Sequence, residues 1–403
     1  MVPDAQPFDL APGFTATAVA CGLKSGGALD LALIAAGHPC AAAGVFTTNR
    51  VKAAPVLYDQ EVLGRGAGDI RAVIANAGCA NACTGAPGMA ATRRTAELVA
   101  ASLGCAPGQV LVLSTGVIGR PLDMDKVARG VAALTSAASL RGAAAASRAI
   151  LTTDTRPKTA SADLALGGRP VAIRGFAKGA GMIHPHMATM LAVLTTDAAL
   201  TPAALETALR SAVGRSFNRV SVDGDMSTND TVLLLASGAA AAPPDALEAA
   251  AFTAALTGAC VSLAKQIARD GEGATRLVEI AVSGAASEAE AHTVADSIAR
   301  SPLVKTAVHG GDPNWGRVLA AAGCSGAPID PARLTLAFGA AGEAVTLVQG
   351  GLPVGYDERA ASALLKRDPV RIGLDLGRGE ARATVWTCDF SAEYVAINAH
   401  YTT

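Results

Sequence analysis

Apolar positions along this chain recur with two periods. Near-continuous apolar runs that end in turns, "RAVIANAG" at 71–78 and "GQVLVLSTG" at 108–116, predict buried strands. Between them, "GMAATRRTAELVAASLG" at 88–104 spaces its apolar residues as an amphipathic helix does. "MDKVARGVAALTSAAS" at 124–139 predicts a second helix, and an alanine-rich segment after Arg141 a third. "TPAALETALRSAVG" at 201–214 reads as a helix with proline at its second position. A strand near 218–222, another at 231–236 and a long helix over 244–268 follow. Further strands are expected near 276–283, 334–338, 344–348, 371–376 and 381–386. Grouped strands with intervening helices predict a layered α/β or α+β protein, without repeat, coiled coil or obvious linker.

Composition narrows the class. Of 403 residues, 51% are hydrophobic and 17% charged, which excludes disorder and supplies core for two or three domains. Aromatics are only 3%, so the core must be built from Ala, Val, Leu and Ile. The 33 Lys and Arg nearly balance 34 Asp and Glu, leaving no electrostatic footprint for nucleic acid or an anionic membrane. The longest uncharged run, 31–49, is broken by Gly37, His38, Pro39 and Gly44, and reads as strand and turn. "MVPDAQPFDL" has neither the basic nor the apolar region of a signal peptide. The eight cysteines are scattered without zinc spacing and read as reduced thiols, so a soluble cytoplasmic protein is expected.

Several motifs fail. "DGDMSTND" at 223–230 opens like a calcium loop, but Thr228 replaces the glycine and Leu234 the closing glutamate, which leaves turn and cap chemistry. "GAG" at 179–181 lacks the third glycine of a dinucleotide fingerprint, and neither a Walker lysine nor a GxSxG elbow occurs. His184 and His186 flank a proline and suit a turn better than a metal.

"KGAGMIHPHMATMLAVLTTDA" at 178–198 is different: a glycine- and proline-rich turn hands over to an apolar run at Thr189. A threonine hydroxyl is a weak nucleophile unless a base stands beside it, and the α-amine of an N-terminal threonine is such a base near neutral pH. That chemistry requires the chain to be cut after Ala188. From the residues alone, a plain buried strand threonine is the simpler reading.

The segment resembles the self-processing segment of the glutamate N-acetyltransferase/ornithine acetyltransferase family of arginine biosynthesis. So do "ANAGCANACTG" (75–85), "LSTGVIG" (113–119), "LTTDTRPK" (151–158), "SVDGDMSTNDT" (221–231), "ARDGEGATR" (268–276), "GGDPNWGR" (310–317) and "INAHYTT" (397–403), in family order. Cys79 and His186 depart from the family's usual asparagines.

The resemblance implies one precursor cut between Ala188 and Thr189, giving an α chain of 1–188 and a β chain of 189–403. It further implies an αββα sandwich with a smaller C-terminal lobe, of the N-terminal-nucleophile type, in an α2β2 heterotetramer. Thr189 would take the acetyl group of N2-acetylornithine, release ornithine and pass the acetyl to glutamate, without metal or organic cofactor. Some family members also use acetyl-CoA, which makes it a candidate co-substrate. Thr115 and Gly116 match the oxyanion-hole pair, hydroxyl and backbone N–H. Lys178 matches a lysine that either binds the substrate carboxylate or keeps the Thr189 amine neutral. Glu272, between two glycines, suits the side-chain amine of ornithine. Thr152, with Thr153 the near alternative, and Asn398 and Thr403 match substrate contacts. The tail is expected to be ordered by burying Val395, Ile397 and Tyr401. The rival class is a Thr-nucleophile amidohydrolase or aminopeptidase of similar architecture, in which water resolves the acyl-enzyme.

Overall fold

The computed structural model describes residues 8–135, 140–184, 190–240 and 245–400. Strand β2 (Leu31–Phe46) organises the larger lobe. Its first half pairs antiparallel with β1 (Phe14–Val19) and β3 (Ile70–Cys79), and its second half pairs with β9 (Thr231–Ala236). Between the halves Gly37, His38 and Pro39 are exposed and the register shifts. Proline cannot donate to a ladder and glycine weakens one, so the strand leaves one sheet there and enters another. The first sheet runs β4 (Val110–Val117), β3, β2, β1, with β5 (Leu140–Arg141) at its edge. The second runs β2, β9, β8 (Leu191–Thr196), β7 (Arg169–Lys178), β6 (Lys158–Leu166).

Strand β8 explains why the strands read as unbroken apolar runs. Leu191 and Val193 enter a core shared with β1 to β4, whereas Ala192 and Leu194 enter a second core on the opposite face. The first core also takes in side chains of α2 (Gly85–Leu103), α3 (Met124–Leu134) and α4 (Ala143–Ala149), and α1 (Ala54–Gly66) packs on β4. The second is covered by α5 (Pro202–Gly214) and α6 (Ala246–Arg269). The layers are therefore helix, sheet, sheet, helix, the expected αββα sandwich. Helix α6 is long and apolar enough to cross a membrane, but buries Phe252, Leu256, Leu263 and Ile267 in this core. It starts at 246 because Asp245 and Glu248 form a reciprocal capping box.

The smaller lobe has its own core and a six-stranded sheet of order β13 (Leu352–Pro353), β12 (Glu343–Gln349), β11 (Thr335–Ala340), β14 (Val370–Asp375), β10 (Leu277–Ala285), β15 (Ala381–Cys388). Helices α7 (Glu288–Arg300), α8 (Pro302–Gly310), α9 (Trp315–Gly323) and α10 (Glu358–Leu365) complete it, and α11 (Ala392–His400) follows β15.

Two expectations need correction. The strand near 218–222 is a 3-10 turn at Phe217–Arg219 followed by a single bridge, Val220 to Trp386. Its backbone is spent elsewhere: the Ser221 N–H donates to Trp386 O and the Val222 N–H to Ile183 O. The tail is not ordered by Val395, which is 63% exposed. Tyr394 and Ile397 are half-buried instead, and Tyr401 lies outside the described residues. Strands β7 and β8, which flank the 188/189 junction in sequence, are antiparallel neighbours in one sheet.

Candidate active site

Strand β4 delivers Thr115 and Gly116. Gly116 has φ +128°, and a Cβ there would run into the backbone of Gly78 and Cys79. Only glycine fits, and the β3–β4 register breaks at this point. The strand end is pinned: Asn229 Nδ2 donates to Ser114 O at 2.8 Å and Ala80 O at 2.7 Å, and Ser114 Oγ donates to Asn76 Oδ1 at 2.6 Å.

Strand β7 delivers Lys178, which is 2% exposed. Its Nζ donates to Thr152 Oγ1 at 2.8 Å and lies 3.5 Å from Thr115 Oγ1. Burial lowers its proton affinity, with the nearby Asp154 carboxylate opposing that.

Glu272 sits in the turn after α6. Its N–H donates to Ala180 O at 2.8 Å, and its carboxylate lies over Gly181, where any side chain would collide with it. Asn398 Nδ2, from α11, donates to Glu272 Oε2 at 2.8 Å. Helix α11 is docked there because Gly273, at φ +69°, lets the Tyr394 N–H come close, and Ser391 Oγ donates to Gly273 O at 2.6 Å.

Thr115, Gly116, Thr152, Lys178, Glu272 and Asn398 thus line one cavity of about 240 Å³. Thr153 lines it too. Lys178 puts a cation in its wall, and Glu272, Asp223 and Asp225 add carboxylates. Ala188, Thr189 and Thr403 lie outside the described residues. Their neighbour Met190 is fixed: its N–H donates to Asp230 Oδ1 at 3.0 Å, and its carbonyl accepts from the Thr231 N–H at 3.1 Å. Burial pushes the Asp230 carboxyl well above the usual range.

Sequence reasoning passed over Asp154, Asp223, Asp230 and Tyr394. The signal for Asp223 was its place in a failed calcium loop. Its two oxygens are engaged by the backbone, accepting from Met182 N at 2.6 Å and Ile183 N at 2.8 Å, and this holds Met182 in a left-handed conformation at φ +56°. Burial raises the Asp223 carboxyl to about 6. Among the described residues no cluster of three His, Cys, Asp or Glu side chains is arranged to hold a metal. Chemically, the cavity offers hydroxyl and backbone donors at a strand end, a buried cation and a wall of carboxylates.

Known proteins match nearly all of this chain. The arginine biosynthesis bifunctional protein ArgJ of Symbiobacterium thermophilum is 51% identical, covering 97% of each chain. That of Thermosynechococcus vestitus is 46% identical, covering 98% of this chain and 97% of its own. A solved structure described as ornithine acetyltransferase complexed with ornithine, from Mycobacterium tuberculosis, is 42% identical over 45% of this chain and 96% of its own, with a TM-score of 0.38. The ArgJ family model matches residues 15–403, and with relatives at this identity over the same span, the chain belongs to the ArgJ family.

Proposed function

We propose that this protein moves the acetyl group of N2-acetylornithine to glutamate through an acetyl ester on Thr189, and that it cuts its own backbone between Ala188 and Thr189 to do so. The observation that carries the reading is the gathering of Thr115, Gly116, Thr152, Lys178, Glu272 and Asn398, drawn from five distant segments, around one cavity. A zwitterionic diamino acid matches such a cavity, with its carboxylate toward Lys178 and its δ-ammonium toward Glu272.

In the first half-reaction the freed α-amine of Thr189 takes the hydroxyl proton as the oxygen attacks the acetyl carbon. Thr115 Oγ1 and the Gly116 N–H receive the oxyanion. Collapse expels the α-amine of ornithine, which leaves with the proton. Glutamate then attacks acetyl-Thr189 by the same steps in reverse, giving N-acetylglutamate and the free hydroxyl.

Acetyl-CoA would enter as an alternative acetyl donor to the same hydroxyl, in line with the name bifunctional carried by the relatives. The two fragments would assemble as α2β2 in the cytoplasm, with Thr403 reaching the substrate beside Asn398. The test is release of ornithine from N2-acetylornithine with and without glutamate. Release that depends on glutamate supports the transferase, and release indifferent to glutamate would make the protein a hydrolase.

A further inference from the structure

Lys178, which lines the cavity, heads a buried chain of alternating charges whose other members, Asp154, Lys158 and Asp270, are not part of the cavity wall. Asp154 is fully buried, and each of its oxygens is used twice. Oδ1 accepts from Lys158 Nζ at 2.6 Å and from the Gly179 N–H at 2.6 Å. Oδ2 accepts from the Thr152 N–H at 3.1 Å and stands 3.8 Å from Lys178 Nζ. Lys158, with no exposed surface, also pairs with Asp270 Oδ2 at 2.5 Å, and Thr155 and Arg156 hold the other Asp270 oxygen. Asp270 is two residues from Glu272 in sequence, so the chain links Lys178 to the turn that carries Glu272.

Two buried cations and two buried carboxylates are tolerable only as a balanced set, because a charge left unpaired in such a site is far costlier than the pair. Lys178 has the weakest claim on this set: its ion-pair distance to Asp154 is long and its short bond goes to the Thr152 hydroxyl. We infer that Asp154 is a positioning residue for acetyl transfer, one carboxylate that orients both Lys178 and Thr152, and that Lys158 competes with Lys178 for it.

Burial and Lys158 push the Lys178 ammonium toward losing its proton, while Asp154, Glu272 and Asp230 hold the proton on. Lys24 is a further cation in its field. Removing Asp154 and removing Lys158 must therefore act in opposite directions. This rests on Lys178 binding the substrate as proposed above, and the experiment separates the two.

The pH dependence of kcat/KM for N2-acetylornithine is measured for the wild type, Asp154→Asn, Lys158→Met and the charge-rebalanced double variant, each matured protein first checked for an intact fold. The substrate's own titration is common to all and drops out of the comparison. In Asp154→Asn the alkaline limb moves to lower pH, with kcat/KM on that limb falling about tenfold for each unit moved. In Lys158→Met it moves to higher pH. If Asp154→Asn does not fold, Lys158→Met decides alone. Limbs that stay in place, or move the same way in both variants, overturn the inference. Lys178→Met tests the underlying reading: full transfer in that variant removes Lys178 from the site, whereas loss of transfer with unmoved limbs refutes Asp154 alone.

Discussion

Asn398 Nδ2 donates to Glu272 Oε2 at 2.8 Å, so a side chain from the last helix orients a carboxylate that faces the cavity. A hydrogen bond to a charged group is worth about 1.5–3 kcal/mol. Glu272→Gln keeps the shape and removes the charge. It should lower kcat/KM for N2-acetylornithine by about 10- to 100-fold on that energy. The KM for glutamate, whose side chain carries no cation, should change less. Asn398→Ala should lower the same constant by about tenfold. Steady-state kinetics with each substrate varied in turn would check both.

Two glycine substitutions should separate fold from function. In Gly116→Ala the new Cβ meets backbone at a strained φ, and nothing nearby can give way. Thermal denaturation should show lost stability along with lost transfer. In Gly181→Ala the Cβ meets only the end of the Glu272 side chain, which can swing aside. Stability should hardly change while the KM for N2-acetylornithine rises.

Asp223 predicts an acid limb. Burial raises its carboxyl to about 6 despite three backbone N–H donors. As pH falls through 6 the group gains a proton, loses acceptor capacity for Met182 and Ile183, and stops attracting a cationic substrate. Turnover of N2-acetylornithine should fall through that range, and Asp223→Asn should be impaired at every pH with the limb removed. The raised value also means that this group's share of native stability declines as pH climbs from about 4 to about 6.

Asp389 has the opposite sign. Burial pushes its carboxyl up, but the Thr275 hydroxyl, His309 and the N–H groups of Thr275 and Arg276 outweigh that and hold it below the usual range. A depressed folded value contributes stability above the unfolded value near 4, and that stability is lost as pH falls below it. Asp389→Asn should destabilise by about 2–3 kcal/mol at pH 7, with the difference narrowing in acid. Denaturant unfolding at pH 7 and well below pH 4 measures this.

The strands were legible where both faces are buried, as in β8 and β9, because an unbroken apolar run needs no partner to be recognised. Strands β6 and β7 were legible too but were passed over: β6 alternates polar and apolar positions, and the two-residue Gly167–Gly168 turn at φ +57° and +71° is a hairpin signal. The helices of the smaller lobe, α7 to α10, are only 8 to 13 residues long, and runs that short offer few turns over which a helical period can be read. In the site, the residues that point into the cavity could be named from motifs. Asp154, Asp223 and Asp230 act through backbone N–H groups from distant segments, and no local spacing reveals such partners. Val395 reads as a core residue by type, and its exposure is decided by which face of α11 meets Gly273.

The central claim is that the acetyl group rests on Thr189. Incubating the purified protein with N2-acetylornithine alone and weighing its fragments tests this directly. The account predicts two fragments, the second beginning Thr-Met-Leu-Ala and carrying one acetyl group on its first residue, which glutamate then removes as N-acetylglutamate. An intact, active single chain, or glutamate-dependent release of ornithine with no acetylated fragment, would contradict it.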